Sequence, residues 1–205
     1  YSQKLVDLSR KLDYPLGEVK AKIRYCFLLN NLPRAVETAY ECLDLSQQSG
    51  DTLALMESLF ALNVVYKHAE QYDRSVAFGK QLLTLATAAR DSNWIWRALF
   101  VIGNSYALLP QKNSCLLYFH ECNRYAKALH NSVQRWVLEN EECSRNYKIT
   151  WSSYGLGMAN YLLNDQELAL VYFLRALPYA VEIIPRERQF FVAEEYMGIA
   201  GAYSK

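Results

Sequence analysis

The strongest constraint on this chain is a recurrence of small and large side chains. Ala35, Ser75, Cys115 and Ala169 stand 40, 40 and 54 residues apart. Each is followed by further apolar or small residues at helical spacing: Ala39 and Cys42-Leu43, Phe78-Gly79 and Leu82-Leu83, Phe119 and Cys122, Phe173 and Ala176-Leu177. Small residues on one helix face let a neighbouring helix approach closely, and a ring nearby fills the gap that remains. Upstream of three of these segments runs a matching helix: Leu62-Asn-Val-Val-Tyr66, Ile102-Gly-Asn-Ser-Tyr106 and Leu156-Gly157 with Tyr161. The helices therefore come in pairs. Gly and Pro number only 8 and 5, and apolar residues recur three and four apart almost throughout, so the fold class is all-α with no β-sheet.

Punctuation divides the chain into pairs. Gly50-Asp51 reads as a glycine closing one helix before an N-cap, Asp91-Ser92 as the next cap, and Pro33 as a first-turn proline. These signals place helix pairs near 16–49, 51–89, 92–129 and 131–182, with a partial repeat at 186–205, all in one repeat domain over 1–205. The fourth pair carries an insertion near 131–144, which the extra 14 residues of its spacing require. Pro178 falls inside the last second helix, where it removes a hydrogen bond and predicts a kink.

Leu156-Gly157, Tyr161, Ala169, Phe173 and Ala176-Leu177 together resemble the tetratricopeptide family, although Tyr161 stands one place late and the period exceeds the family's usual length of about 34 residues. Repeats near 40 residues look like the extended repeats of bacterial signalling and regulatory proteins. The resemblance implies a right-handed superhelical solenoid of antiparallel helix pairs whose first helices line a concave face. Carried over by register, that face takes Glu57, Phe60, Val64, Lys67 and His68 from the second pair. The third pair contributes Arg97, Phe100, Asn104, Ala107 and Leu108, and the fourth Trp151, Tyr154, Met158, Tyr161 and Leu162. The first pair aligns only with a three-residue deletion before Pro33, so no inner face is assigned to it. The Lys/Asn/Arg carboxylate clamp of chaperone-tail binders with this fold is not matched, because the corresponding positions hold Phe60, Val64 and Phe100, with Asn104 standing alone.

Composition and motifs narrow the chemistry. Lys plus Arg number 22 against 21 Asp plus Glu, which supplies no general attraction to nucleic acid or an anionic membrane. Glu57 and Arg97 break the longest apolar stretches well short of the roughly 20 residues a bilayer requires. No secretory leader opens the chain, and five cysteines (Cys26, Cys42, Cys115, Cys122, Cys143) make an odd count without a C-x-x-C pair, which points to a reducing, cytoplasmic setting. His68, His120 and His130 have no zinc spacing, and Cys115 and Cys122 occupy packing positions where they serve as small hydrophobes. Glu139, Glu141 and Glu142, with Arg135 and Arg145 alongside, read as a solvated helix face. No phosphate-binding glycine loop, nucleophile elbow or cofactor motif occurs, so no cofactor is called for.

These readings converge on a binding module rather than an enzyme. The expectation is a scaffold or sensory repeat segment of a larger bacterial signalling or regulatory protein, with a protein or peptide segment as partner and a second copy of the chain as an admissible one. Phe60, Phe100, Trp151 and Tyr154 are the expected anchors, since rings bring large contact area at modest entropic cost. The alternative is a receptor in which a peptide or small ligand changes the curvature of the solenoid.

Overall fold

The structure, a computed structural model, describes residues 2–28, 31–109, 111–128, 145–181 and 201. The described residues form nine α-helices and no strand: α1 (Ser2–Lys11), α2 (Pro15–Leu28), α3 (Leu32–Ser49), α4 (Thr52–His68), α5 (Tyr72–Ala88), α6 (Ser92–Ala107), α7 (Lys112–Ala128), α8 (Arg145–Leu162) and α9 (Gln166–Val181). The insertion near 131–144 and, Gly201 apart, the partial repeat at 186–205 lie outside the described residues. Among the described residues no helix is long and apolar enough to cross a membrane.

Local chemistry sets the helix ends. Asn31 caps α3 by accepting from the Arg34 N–H, with Pro33 in the first turn. Asp51 caps α4 through the Leu53 and Ala54 N–H groups, and the Asp91 carboxylate receives the Asn93 and Trp94 N–H groups at the start of α6. Gly50 closes α3 in the left-handed region at φ 66°. Four other turns use the same conformation without glycine: Asp13, Glu70, Arg90 and Asn164 have φ of 48°, 58°, 54° and 65°. In each, the next residue's N–H reaches back five places: Tyr14 to Ser9, Gln71 to Tyr66, Asp91 to Ala86 and Asp165 to Asn160. This is the Schellman closure, and a side chain in that conformation costs about 1 kcal/mol that glycine avoids. Arg90→Gly is therefore expected to raise stability by up to about 1 kcal/mol in urea unfolding; a loss would show that the Arg90 side chain contributes more than its backbone costs.

The helices gather into two compact units, 1–101 and 102–205, with α6 running across the division. In the first unit α1 to α5 pack consecutively, and α2 also touches α4. Its core joins Val19, Ile23 and Cys26 of α2, Ala35, Ala39 and Cys42 of α3, and Ala54, Ala61, Leu62 and Val65 of α4. Between α4 and α5 the buried Asn63 amide donates to the Ser75 carbonyl at 2.8 Å, and the Ser75 hydroxyl donates to the Asn63 carbonyl at 2.9 Å. Phe78 lies flat on Tyr66 at 5.5 Å, and the Tyr40 ring meets both edge-on.

In the second unit, α8 packs on both α7 and α9. The Phe119 ring is held between Gly103 and Gly155, and the Phe173 ring sits on Gly157; both rings are fully enclosed. A Cβ added at Gly155 or Gly157 would come within 2.4 Å of those rings. The equivalent positions in the 51–89 pair hold the opposite arrangement, Asn63 where the others have glycine and Gly79 where they have phenylalanine. Ring plus glycine is replaced by glycine plus amide. Phe78, expected from sequence to be an equivalent gap-filler, is only partly buried and serves the Tyr66 stack instead.

Cys26, Cys42, Cys115 and Cys122 are all buried and form no disulfide, while Cys143 lies outside the described residues. Burial pushes Cys26 and Cys115 up to about 11 and Cys42 up to about 12. We expect these four to resist a thiol reagent until the chain is unfolded; rapid native labelling of all four would contradict the packing described above. Because the folded state holds these protons more tightly than the unfolded chain, the associated stability is complete below about pH 9. It is lost as pH rises from about 9 toward 11–12. The melting temperature of Cys42→Ala should fall less between neutral and alkaline pH than that of the parent chain.

Candidate functional site

α4 buries most of its circumference: Ala54, Met56, Ser58, Leu59, Ala61, Leu62, Asn63, Val65 and Tyr66 are enclosed. Besides Thr52, Leu55 and His68, what reaches solvent is a narrow stripe of half-buried residues, Leu53, Glu57, Phe60, Val64 and Lys67, spaced three and four apart. α6 repeats this with Arg97, Phe100, Asn104 and Ala107, and α8 with Tyr147, Trp151, Tyr154, Met158 and Tyr161. Of the fifteen residues that the repeat register assigns to the inner face, twelve sit half-buried on these stripes. His68, Leu108 and Leu162, beyond the ends of those stripes, are exposed.

Within the first unit the stripe is reinforced by two tryptophans that sequence reasoning did not single out. Trp94 meets Phe60 edge-on at 6.3 Å, and the Arg97 guanidinium lies 5.1 Å from the Phe60 centroid and 4.7 Å from that of Trp94. Trp96 stacks on Phe100 at 5.3 Å. The Trp96 to Phe100 pair is an i, i+4 contact, so the spacing itself carried the signal. Glu57 lies 3.9 Å from Lys20 of α2. Lys67 is different: no hydrogen bond or ion pair holds its ammonium among the described residues, and burial lowers the ammonium pKa. A partly desolvated cation without a protein partner, on the same stripe as Phe60 and Val64, favours an acidic group on whatever docks there.

Within the second unit the rings run into the core. Tyr147 touches Trp151 at 6.2 Å, Trp151 meets Tyr154 at 5.9 Å, and Tyr154 leans on the enclosed Phe173 at 5.6 Å. Tyr147 and Trp151 also cover Ala180 of α9. Tyr147 matches the register of Leu53, one turn before the positions that the repeat pattern assigns to the inner face. Met158, Tyr161 and Asn104 line the remaining stripe positions.

The described residues contain no group of three or more His, Cys, Asp or Glu placed to hold a metal ion. Neither a protein-family model nor a curated protein sequence matches this chain. Among solved structures, the crystal structure of BtubC (BKLC) from P. vanneervenii is similar, with a TM-score of 0.70 and 16% sequence identity. The match covers 98% of this chain and 84% of that one. It establishes a shared helical fold. At this identity the likeness extends to the path of the backbone and leaves the stripe residues to be judged on their own chemistry.

Proposed function

We propose that this chain is a repeat module of the tetratricopeptide type, a right-handed solenoid of helix pairs, that binds a protein or peptide segment in a larger signalling or regulatory protein of the bacterial kind. The observation that carries the reading is the recurrence of half-buried stripes at matching positions of α4, α6 and α8, each rich in rings and flanked by enclosed residues. Rings held rigid on one side and open on the other are what partner anchors require, because little entropy remains to be lost on docking. The likeness over 98% of the chain to another helical structure supports the fold half of the reading.

In the first unit Phe60, Val64 and Phe100 offer the apolar contacts, Arg97 braces the rings, and Lys67 selects an acidic residue on the partner. Trp151, Tyr154, Met158 and Tyr161, with Asn104, form the corresponding stripe of the second unit. Selection of a displayed random-peptide library on the purified chain tests this. Enriched peptides are expected to combine apolar anchors with an acidic residue and to bind about tenfold more weakly to Lys67→Gln. Failure of any peptide to enrich, or affinity unchanged from the parent chain in both Lys67→Gln and Phe60→Ala, would defeat it.

A further inference from the structure

A pocket of 420 Å³ opens among α7, α8 and α9, away from the stripe residues of α8. Ile149 and Ser153 of α8 form part of its lining, together with Asn123 and Lys127 of α7 and Tyr172, Arg175 and Tyr179 of α9. His120 of α7 meets the Tyr172 ring edge-on at 6.0 Å, so the two walls touch at one end. The volume lies within the range of about 300–1,000 Å³ common to small-molecule sites.

The polar groups at this pocket are unevenly used. The buried Asn123 amide donates to Ser152 and Ser153 hydroxyls at 3.1 and 2.9 Å, which leaves its carbonyl oxygen free to accept. No described group accepts the Ser153 hydroxyl proton. Pro178 supplies no N–H to the Leu174 carbonyl four residues back, so that acceptor lacks its regular helical donor, and both residues are among the lining of the pocket. Lys127 and Arg175 bring two cations, and no carboxylate is among the described lining residues. The Arg175 guanidinium is already held over the Tyr172 ring at 5.8 Å. The smaller cavity among α1, α2 and α3 offers a contrast: its cations Arg10, Lys22 and Arg34 are engaged by Glu18, Glu41 and Glu37.

From this arrangement we infer that the α7–α8–α9 pocket binds a small organic anion: a carboxylate or phosphate group for Lys127 and Arg175, attached to a planar ring that stacks on Tyr172 or Tyr179 and carries an N–H for the free carbonyl oxygens. Two cations without a carboxylate attract the anion, the phenol rings reward a flat body, and the unused acceptors reward the N–H. This site is independent of the partner-binding stripe.

Isothermal titration of the whole chain with adenosine monophosphate, indole-3-acetate and inorganic phosphate tests the assignment and separates the two anion types. At least one ring-bearing anion is expected to saturate, to bind about tenfold or more tighter than inorganic phosphate, and to weaken about tenfold in Arg175→Gln. The exposed position of Arg175 leaves the fold intact, which melting temperature verifies, and Arg124→Gln outside the pocket should leave binding unchanged. Absence of saturation by both ring-bearing anions would overturn the inference, as would equal affinity for inorganic phosphate or unchanged binding in the Lys127→Gln/Arg175→Gln double variant.

Discussion

Gly157→Ala is expected to destabilise the parent chain by about 1–3 kcal/mol and to become neutral or stabilising once Phe173 is alanine. The added methyl would lie 2.4 Å from a ring that is fully enclosed and has nowhere to retreat. Phe173→Ala by itself should cost about 3–5 kcal/mol, because it removes a buried ring and leaves a cavity against α8. In that background the obstruction is gone, and alanine's advantage over glycine inside a helix, about 1 kcal/mol, is what remains. Urea unfolding of the four species measures the coupling directly. Additive effects would mean that ring and glycine do not face each other as described.

The second large effect separates binding anchors from structural rings. With a selected peptide as ligand, Phe60→Ala is expected to cost about 2 kcal/mol of binding free energy, roughly a thirtyfold loss in affinity, with a smaller loss of stability. Glu57→Gln at the stripe edge should change binding by far less. Tyr154→Ala should behave oppositely, since that ring rests on Phe173 and its removal unsettles the α8–α9 core. Calorimetric affinity and urea stability measured on the same variants give the contrast. If Phe60→Ala unfolds the chain and binding follows stability for both residues, the first-unit rings are packing elements and the partner surface lies elsewhere.

Much of this architecture was legible because it is local. Three- and four-residue apolar spacing marks helices, Asp51 and Asp91 mark starts, and Gly50 marks a stop, all through bonds within one or two turns. Glu70 and Arg90 stop helices equally well, yet nothing in their side chains announces a left-handed backbone, whereas Asn164 carries a side chain that tolerates it. The stripes of α4, α6 and α8 were legible for a related reason: a repeat places the same environment at the same register, so a residue exposed in one helix predicts its counterparts. The tryptophans bracing Phe60 and Phe100 were missed because the 40-residue register matches them to Ala54 and Met56, buried positions outside the inner-face set, although the i, i+4 spacing of Trp96 and Phe100 was visible.

By itself, then, the sequence determined that the described chain is helical, where most of its helices begin and end, and which residues are small enough to lie between them. Only the tertiary structure decided which small residue receives which ring. The 16-residue separation of Gly157 and Phe173 recurs in Gly103 and Phe119, but Gly155 and Phe119 are 36 apart and meet because α8 packs on α7. It also decided that Lys67 lacks an acid while Lys22 has two, because charge pairing depends on which helices become neighbours. Packing converts a periodic pattern into particular contacts, and those contacts are where the rings, cations and freed carbonyls acquire their chemistry.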